Sequence, residues 1–154
     1  MIRNASEIDI PKIVLLNYEL MKHHEQFSPI FESDDSAKEL FAEHLKEIMN
    51  KATSAVLVYE KEAEIVGYLI AHFQEVKYPV RLKKRCQISD IYVSPAFRHQ
   101  QIGEQLFNAI KNNAIEKKFD FITLNAAANN PQSVGFWRKM GMEVTLYQMT
   151  QFLE

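Results

Sequence analysis

Ten consecutive residues, Ser94–Gly103, carry features that suit them to bind a phosphate group. They follow a strand-like run that ends at Val93 and precede an amphipathic run. The strand is expected to stop at the proline, and a helix is expected to begin near Gln101. At the start of such a helix, free backbone N–H groups point toward one position, where the helix dipole adds partial positive charge. Arg98 supplies a basic side chain, and Gly103 places a glycine at the helix start. The segment therefore predicts a cradle for phosphate.

The elements that must hold this segment predict a mixed sheet. β-rich runs predict strands at residues 2–5, 55–59, 65–73, 86–93 and 121–125, with a closing strand or hairpin at 143–152. Apolar spacing and caps predict helices after Ser6 or Asp9, after Ser36, from about Gln101 to Glu116, and from Ser133 to a left-handed cap at Gly141. The helix that follows the cradle lies between two strands, and such a crossover favours parallel pairing of those strands.

Length and composition argue for one globular domain and against several classes of function. The 154 residues are 47% hydrophobic and 25% charged, which is ordinary for a globular protein. A net charge of −2 argues against nucleic-acid binding. The single cysteine, Cys86, allows no intramolecular disulfide, and no Cys/His spacing suits zinc, so we expect no metal and a reducing compartment. No apolar stretch reaches the roughly 20 residues that cross a bilayer, so we expect a cytoplasmic protein without membrane contact.

Three segments resemble signature regions of the GNAT superfamily of acetyl-CoA-dependent N-acetyltransferases. Arg98 and Gly103 fill the outer positions of its pyrophosphate loop, in which Arg or Gln is followed by two residues, Gly, any residue, and Gly or Ala; Gln101 replaces the first glycine. The run 88–95 looks like the family's fourth strand. The run 130–142 resembles its later signature of an Asn, a small residue, an aromatic pair and a closing glycine. Because Gln101 must adopt a geometry that suits glycine, we expect strain there.

This resemblance implies both a fold and a function. The fold would be α/β (α+β) and GNAT-like, with a mixed, mostly antiparallel sheet of six to seven strands, a parallel β-α-β crossover and helices on both faces, in a single domain over residues 1–154. The function would be transfer of an acetyl group from acetyl-CoA, as co-substrate, to a primary amine by direct attack in a ternary complex. The acceptor would be a small-molecule amine, a lysine side chain or a protein N-terminus.

The resemblance also implies which residues contact the co-substrate. In the family, the strands that match 88–93 and 121–125 splay, and the pantetheine arm pairs with exposed backbone in the gap. Main-chain contacts to pantetheine are implied for Ile91, Tyr92 and Val93. The pyrophosphate would lie against Arg98, His99, Gln100, Gln101, Ile102, Gly103 and Glu104. The far side of the arm would be flanked by Asn130, Ser133, Phe136 and Trp137.

Acetylation of an amine needs a group that takes up a proton. A primary amine with a pKa of about 10.4 is almost wholly protonated at neutral pH, so it must lose a proton before it attacks. Asp90 is the nearest strand carboxylate and Glu75 the next, while the position of a glutamate used by some relatives holds Gln87. Asp90 is therefore either the catalytic base or a strand carboxylate that is only solvated or hydrogen-bonded.

The leaving thiolate departs more easily if an acid stands nearby. The family's usual acid is a tyrosine at the second aromatic position, which here is Trp137, and an indole N–H does not protonate a thiolate. Tyr147 on the expected closing strand and Tyr92 beside the reacting carbonyl are the replacements, each weighed against a role in packing. The missing tyrosine also leaves a second function open, that of a non-catalytic acyl-CoA-binding sensor or interaction module.

Several other residues leave alternatives open. Glu32, Asp34 and Asp35, between the first two helices, would attract a cationic amine, although capping of the next helix explains them equally well. Most histidines are interpreted as surface or hydrogen-bonded residues, namely His23, His24, His44 and His72. Apolar residues of the closing segment could pair across a homodimer, namely Leu146, Met149 and Phe152.

Overall fold

The computed structural model describes residues 1–153. Within that range the strands are β1 Ile2–Asn4, β2 Ser54–Lys61, β3 Glu64–Glu75, β4 Lys84–Val93 and β5 Phe121–Leu124. The α-helices are α1 Ile10–Glu25, α2 Ala37–Met49, α3 Ile102–Glu116 and α4 Pro131–Lys139. Short 3₁₀ helices lie at Glu7–Asp9, Pro29–Phe31 and Pro95–Phe97.

The strands form one sheet in the order β1-β2-β3-β4-β5. Neighbours from β1 to β4 are antiparallel, whereas β4 and β5 are parallel and are joined through α3. The mixed, mostly antiparallel sheet and its single parallel crossover, both expected from the sequence, are therefore confirmed.

The number of strands was predicted wrongly. The described part of the chain has five strands rather than six to seven. The closing strand or hairpin expected at residues 143–152 is not formed, because residues 143–153 have no regular secondary structure and are exposed throughout. A β-rich composition measures how well side chains fit a pleated surface, but a strand also needs a partner for its backbone groups. Residues 143–153, called the tail below, have no such partner within residues 1–153.

Helices cover both faces of the sheet, as expected. On one face, Ile13 of α1 and Leu45 of α2 pack with Tyr68 of β3 in a core from which water is excluded. On the other face, Leu106 of α3 and Trp137 of α4 belong to a second core. The sheet thus separates an α1–α2 side from an α3–α4 side, and a site at its edge can draw on both.

Local signals account for the ends of the helices to different degrees. The cap predicted at Gly141 is confirmed: its φ is 84°, its N–H bonds to the Arg138 carbonyl, and the Met142 N–H bonds to the Trp137 carbonyl, both at 3.0 Å. Ser36 does precede α2, but its side chain does not cap the helix. Its N–H donates instead to Asp34 Oδ1 at 2.9 Å.

The N-terminal strand is tied to the first helix by a buried carboxylate. Asp9 is 5% exposed and accepts two hydrogen bonds from the Arg3 guanidinium, at 2.7 and 2.9 Å. It also accepts one from the Ser6 backbone N–H at 2.8 Å. The arrangement fixes β1 at the start of α1.

Candidate active site

A gap opens in the sheet where β4 and β5 separate. The two strands pair only from Arg85 with Phe121 to Ile88 with Leu124, and β4 then continues to Val93 along β3. Beyond Ile88, the edge of β4 that faces away from β3 has no strand partner within residues 1–153. This is the separation expected for the strand that matches the family's fourth strand.

The orientation of the free β4 edge follows from its hydrogen bonds to β3. The Ser94 N–H donates to the Val66 carbonyl on β3 at 2.9 Å. Because backbone groups alternate along a strand, the N–H groups of Val93 and Ile91 point the opposite way, into the gap. They are available to a chain that enters the gap as an added strand.

A bulge in β4 decides which side chains face which side of the sheet. Ile70 pairs with Asp90 and Ala71 with Ile88, so Ser89 is the extra residue. The shift places Tyr92 in the α1–α2 core, whereas Ile91 packs with Ile88 on the α3–α4 side. Without the bulge, Tyr92 would share the side of Ile88.

The cradle after β4 has a strained backbone that leaves donors free. Gln101 has a φ of 61°, as its position at a glycine site led us to expect, and His99 has a φ of 62°, which the sequence did not indicate. The first bond of α3 runs from the Gln105 N–H to the Gln101 carbonyl. Within the described residues, the backbone N–H groups of residues 99–104 donate to no backbone carbonyl. A row of unpaired donors at a helix start fits a pyrophosphate.

The cradle and the gap join in one groove of about 650 Å³. The structure brings all the predicted co-substrate contacts to its walls except Gln100, whose amide oxygen instead accepts a hydrogen bond from Lys61 at 2.6 Å. The predicted residues that line the groove are Ile91, Tyr92, Val93, Arg98, His99, Gln101, Ile102, Gly103, Glu104, Asn130, Ser133, Phe136 and Trp137.

The α4 wall of the groove is held by a cap and by aromatic packing. The buried Asn130 side chain accepts a hydrogen bond from the Ser133 N–H at 3.2 Å, which fixes the start of α4. Trp137 packs edge-on against Phe107 and Phe136, with ring centroids 5.5 and 4.8 Å apart. The indole therefore has a packing role in addition to its position on the groove.

The three predicted catalytic residues lie in different surroundings. Tyr92 lines the groove, and its hydroxyl donates to Glu19 Oε2 at 3.2 Å; burial and the neighbouring Glu19 raise the pKa of the phenol. Asp90 accepts from Ser89 Oγ at 2.8 Å, and burial raises the pKa of its carboxyl. Asp90 does not line the groove. Tyr147 lies in the tail, 86% exposed, and the structure does not bring it to the groove.

Three residues of α1 that the sequence interpretation did not assign to the site line the groove: Leu20, His23 and His24. The His24 ring packs 5.6 Å from the Phe31 ring and 6.4 Å from the Phe27 ring. Burial, and to a lesser extent the neighbouring His23, lower the pKa of His24, while Asp90 acts in the opposite direction. The lining of the groove therefore includes an imidazole whose lowered pKa favours the neutral form. Only the fold reveals this position, because no carboxylate or cysteine lies at ligand spacing from His24 in the sequence.

The loop beside His24 is linked to the start of α4. Asn129 Nδ2 donates to the Phe27 carbonyl at 2.8 Å, across 102 residues of sequence. This contact joins the α1 side of the groove to its α4 side. The acidic residues Glu32, Asp34 and Asp35 do not line the groove.

No helix in residues 1–153 has both the length and the apolar character to span a membrane. No group of three or more His, Cys, Asp or Glu side chains in the same range is arranged to hold a metal ion.

Comparisons with known proteins agree with this geometry. A model of the acetyltransferase (GNAT) family matches residues 18–142. A candidate ribosomal protein bS18-alanine N-acetyltransferase of Bacillus subtilis (strain 168) is 26% identical over 97 residues, which cover 63% of this chain and 59% of that protein, less than two thirds of its length.

Two solved structures are similar over nearly the whole chain. A tetramutant of the BH1408 protein from Bacillus halodurans superposes with a TM-score of 0.89 at 26% identity, covering 99% of each chain. The aminoglycoside acetyltransferase meta-AAC0020 from an uncultured soil metagenomic sample, solved with trehalose, gives a TM-score of 0.73 at 26% identity, covering 100% of this chain and 96% of that one. The residues matched by the family model include the entire groove, from Leu20 to Lys139.

Proposed function

Because the chain belongs to the GNAT family of acetyltransferases, we propose that it transfers an acetyl group from acetyl-CoA to a primary amine by direct attack in a ternary complex. The observation that carries this proposal is the continuity of the groove. It runs from the unpaired N–H groups of residues 99–104, along the free edge of β4, to the imidazole of His24, whose pKa is lowered by burial. The pyrophosphate of acetyl-CoA would bind at residues 99–104, its pantetheine arm would lie along the edge of β4, and the acceptor amine would lie near His24.

The cradle would hold the pyrophosphate through backbone donors and through Arg98. The Arg98 guanidinium lies 5.4 Å from the centre of the Tyr92 ring, between the cradle and the strand edge. A Cβ built on Gly103 would be 3.5 Å from Phe136, so the wall leaves room for little more than a methyl group there. Acetyl-CoA, when bound, supplies the thioester whose carbonyl carbon is attacked.

The N–H groups of Ile91 and Val93 point into the gap and are the proposed donors to the arm and to the developing oxyanion. A fixed donor aimed at an oxyanion typically contributes about 3 kcal/mol to a reaction of this kind. Orientation of both reactants in one groove contributes a further large share, roughly 7–11 kcal/mol in well-aligned cases. Much of the rate can therefore arise without a specialised acid.

We assign the proton acceptor to His24 rather than to Asp90, because His24 lines the groove and Asp90 does not. The ammonium gives one proton to the His24 ring, and the freed lone pair forms a bond to the carbonyl carbon. The carbon–sulfur bond then breaks and sulfur keeps the electron pair. A second proton passes from nitrogen to sulfur, and His24 releases its proton to solvent. Of the two tyrosines considered as the acid, only Tyr92 lines the groove, and its hydroxyl donates to Glu19.

The acceptor is proposed only as a class. The relatives named above include one aminoglycoside acetyltransferase and one candidate N-acetyltransferase of a ribosomal protein, and both kinds of substrate present an amine. The proposal therefore covers small-molecule amines as well as protein acceptors, either an N-terminus or a lysine side chain.

The test is release of free thiol from acetyl-CoA across a panel of amines, followed by mass measurement of the acetylated product. The panel should hold aminoglycosides, spermidine and a peptide that begins with alanine. Gly103→Trp is the matched control, because the indole has too little room beside Phe136 and would block the proposed pyrophosphate position. Binding of acetyl-CoA without thiol release for any amine would instead support the alternative function, a non-catalytic acyl-CoA-binding module.

A further inference from the structure

We propose that the end of the molecule where β3 turns into β4 binds single-stranded nucleic acid. This surface, called the basic end below, comprises the loop 76–83, the first two residues of β4, and residues 117 and 118 after α3. The inference does not depend on the proposed activity. It rests on a concentration of cations without ion pairs, on a pocket beside an exposed tyrosine, and on a loop whose ends are fixed.

Positive charge is concentrated at the basic end. Its cationic side chains are Lys77, Arg81, Lys83, Lys84, Arg85, Lys117 and Lys118. Within residues 1–153, none of them takes part in a salt bridge. The acidic residues beside them in sequence are fewer, namely Glu75, Glu116 and Asp120. The net charge of −2 is a sum over the whole chain and does not describe this end, which attracts anions.

The loop forms an open pocket of about 670 Å³. The residues that line it are Glu75, Val76, Lys77, Tyr78, Pro79 and Lys83. The large aromatic side chain of Tyr78 is 69% exposed. The pocket therefore combines a planar apolar ring with two ammonium groups, and these are the groups that bind a base and its adjacent phosphates in proteins for single strands.

Hydrogen bonds hold the loop at both ends. The Val76 N–H donates to the Lys83 carbonyl at 2.9 Å, which closes the loop. The carboxylate of Asp120 accepts from the backbone N–H groups of Lys83 and Lys84, each at 2.9 Å, and the Asp120 N–H donates to the Lys84 carbonyl at 2.8 Å. A loop that is already fixed loses less conformational freedom when a ligand binds.

The chemistry of the pocket favours an unpaired base. In a duplex the faces of the bases are covered by their neighbours, so a tyrosine ring can stack only on a base that is free of them. An anionic membrane is the competing partner, because Val80 and Leu82 are 47% and 45% exposed beside the same cations. The pocket argues against a membrane, since it is concave and its lining includes the carboxylate of Glu75.

The basic end is separate from the groove. β4 begins at Lys84, in the basic end, and contributes to the groove only from Ile91 onward. At 3.3 Å per residue along a strand, these positions are roughly 20 Å apart. No residue that lines the pocket also lines the groove. Nucleic acid and acetyl-CoA should therefore bind without competition.

Fluorescence anisotropy with a labelled oligoadenylate of about 12 nucleotides measures binding to the full chain. The affinity should fall as salt increases, with a slope of log K against log salt near −3, which corresponds to about four phosphates. Lys77→Glu should weaken binding by roughly tenfold. Lys46→Glu makes the same change of charge at an exposed position on α2 and should leave the affinity nearly unchanged.

Further variants separate loss of a contact from damage to the loop. Tyr78→Ala should weaken binding by roughly 5- to 100-fold, and Tyr78→Phe should retain it, because the ring and not the hydroxyl stacks on the base. Glu75→Gln should strengthen binding by roughly two-fold at low salt, since it removes a negative charge beside the phosphates. A damaged loop would not produce this gain.

Several outcomes would overturn the proposal. The oligoadenylate might fail to bind at low salt, or Tyr78→Ala might bind it as tightly as the unaltered chain does. Displacement of the oligoadenylate by excess acetyl-CoA would place it in the groove. Equal affinity for a duplex of the same length would contradict stacking on Tyr78. Co-sedimentation with phosphatidylglycerol vesicles, without binding of the oligoadenylate, would assign the basic end to a membrane surface.

Discussion

Arg98 Nε donates a hydrogen bond of 3.1 Å to the backbone carbonyl of Val93, the last residue of β4. The basic side chain of the cradle is thus tied to the strand end that borders the gap. The Arg98 guanidinium therefore links the cradle to the gap beside β4. This link fixes the proposed position of the pyrophosphate relative to that of the pantetheine arm.

The first prediction concerns this guanidinium. Arg98→Ala should weaken acetyl-CoA binding by roughly 10- to 100-fold, because hydrogen bonds to a charged group contribute about 1.5–3 kcal/mol. Titration calorimetry measures the affinity directly. Arg81→Ala removes an exposed arginine from the loop between β3 and β4 and should leave the affinity unchanged. If the two variants bind acetyl-CoA with equal affinity, Arg98 does not contribute to its binding.

The second prediction concerns backbone strain at Gln101. A left-handed conformation costs a residue with a side chain roughly 1–2 kcal/mol, whereas glycine adopts it freely but loses more entropy on folding. Gln101→Gly should therefore raise the free energy of unfolding by up to about 1 kcal/mol, as measured by urea denaturation. Gln100→Gly is the control, because Gln100 does not have a positive φ, and it should lower stability. A loss of stability in both variants would mean that the strain is absent.

The cradle could be foreseen because its signals are local. A proline that ends the strand, a basic residue and a glycine at a helix start all lie within ten residues, Ser94–Gly103. The proline and the glycine act on the backbone directly, and the basic residue supplies charge. The strain at Gln101 followed from the same pattern. The positive φ of His99 did not, because histidine is compatible with several conformations and nothing beside it demanded this one.

The far end of the groove could not be foreseen because it depends on contacts distant in sequence. The bulge at Ser89 sets which side Tyr92 faces, and an alternating apolar pattern does not reveal an extra residue. His24 reaches the groove only because α1 packs beside β4, which lies 60 or more residues further along the chain. Residues 143–152 were predicted as a strand from composition, but pairing requires a partner strand that residues 1–153 do not supply.

The third prediction tests His24 as proton acceptor. Its pKa lies below the ordinary value of 6.5, so kcat/KM with an active amine should fall as pH decreases below that value and the ring becomes protonated. His24→Asn should lower the rate by roughly 10²- to 10⁴-fold and remove this acidic limb. His44→Asn, an exposed position on α2 that does not line the groove, should retain it.

Asp90→Asn distinguishes the competing assignment in the same pH series. If the acidic limb disappears in this variant and persists in His24→Asn, the base is Asp90 and our assignment is wrong. Burial raises the pKa of the Asp90 carboxyl, so its protonation could also produce an acidic limb. The comparison of variants, rather than the shape of one profile, therefore decides between the two residues.

The fourth prediction concerns the ion pair between the partly exposed Arg3 and the buried Asp9. The Arg3 guanidinium holds the pKa of Asp9 at about 2, below the ordinary value of 3.8. Because the folded pKa is depressed, the pair contributes stability above about pH 4 and loses it as the pH falls toward 2. The shift corresponds to about 2 kcal/mol. Asp9→Asn should lower the free energy of unfolding near neutral pH by roughly 2 kcal/mol, because Arg3 then keeps only its second carboxylate partner, Glu60, whose Oε2 accepts from Arg3 Nε at 2.8 Å.

The pH dependence separates this electrostatic contribution from a simple loss of packing. Urea denaturation of the unaltered chain should show stability declining between about pH 4 and pH 2, and the decline should be smaller in Asp9→Asn. Asp35→Asn, at an exposed position, is the control and should follow the unaltered chain at every pH. If Asp9→Asn is less stable but declines as steeply as the unaltered chain, the stabilisation arises from the shape of the side chain and not from its charge.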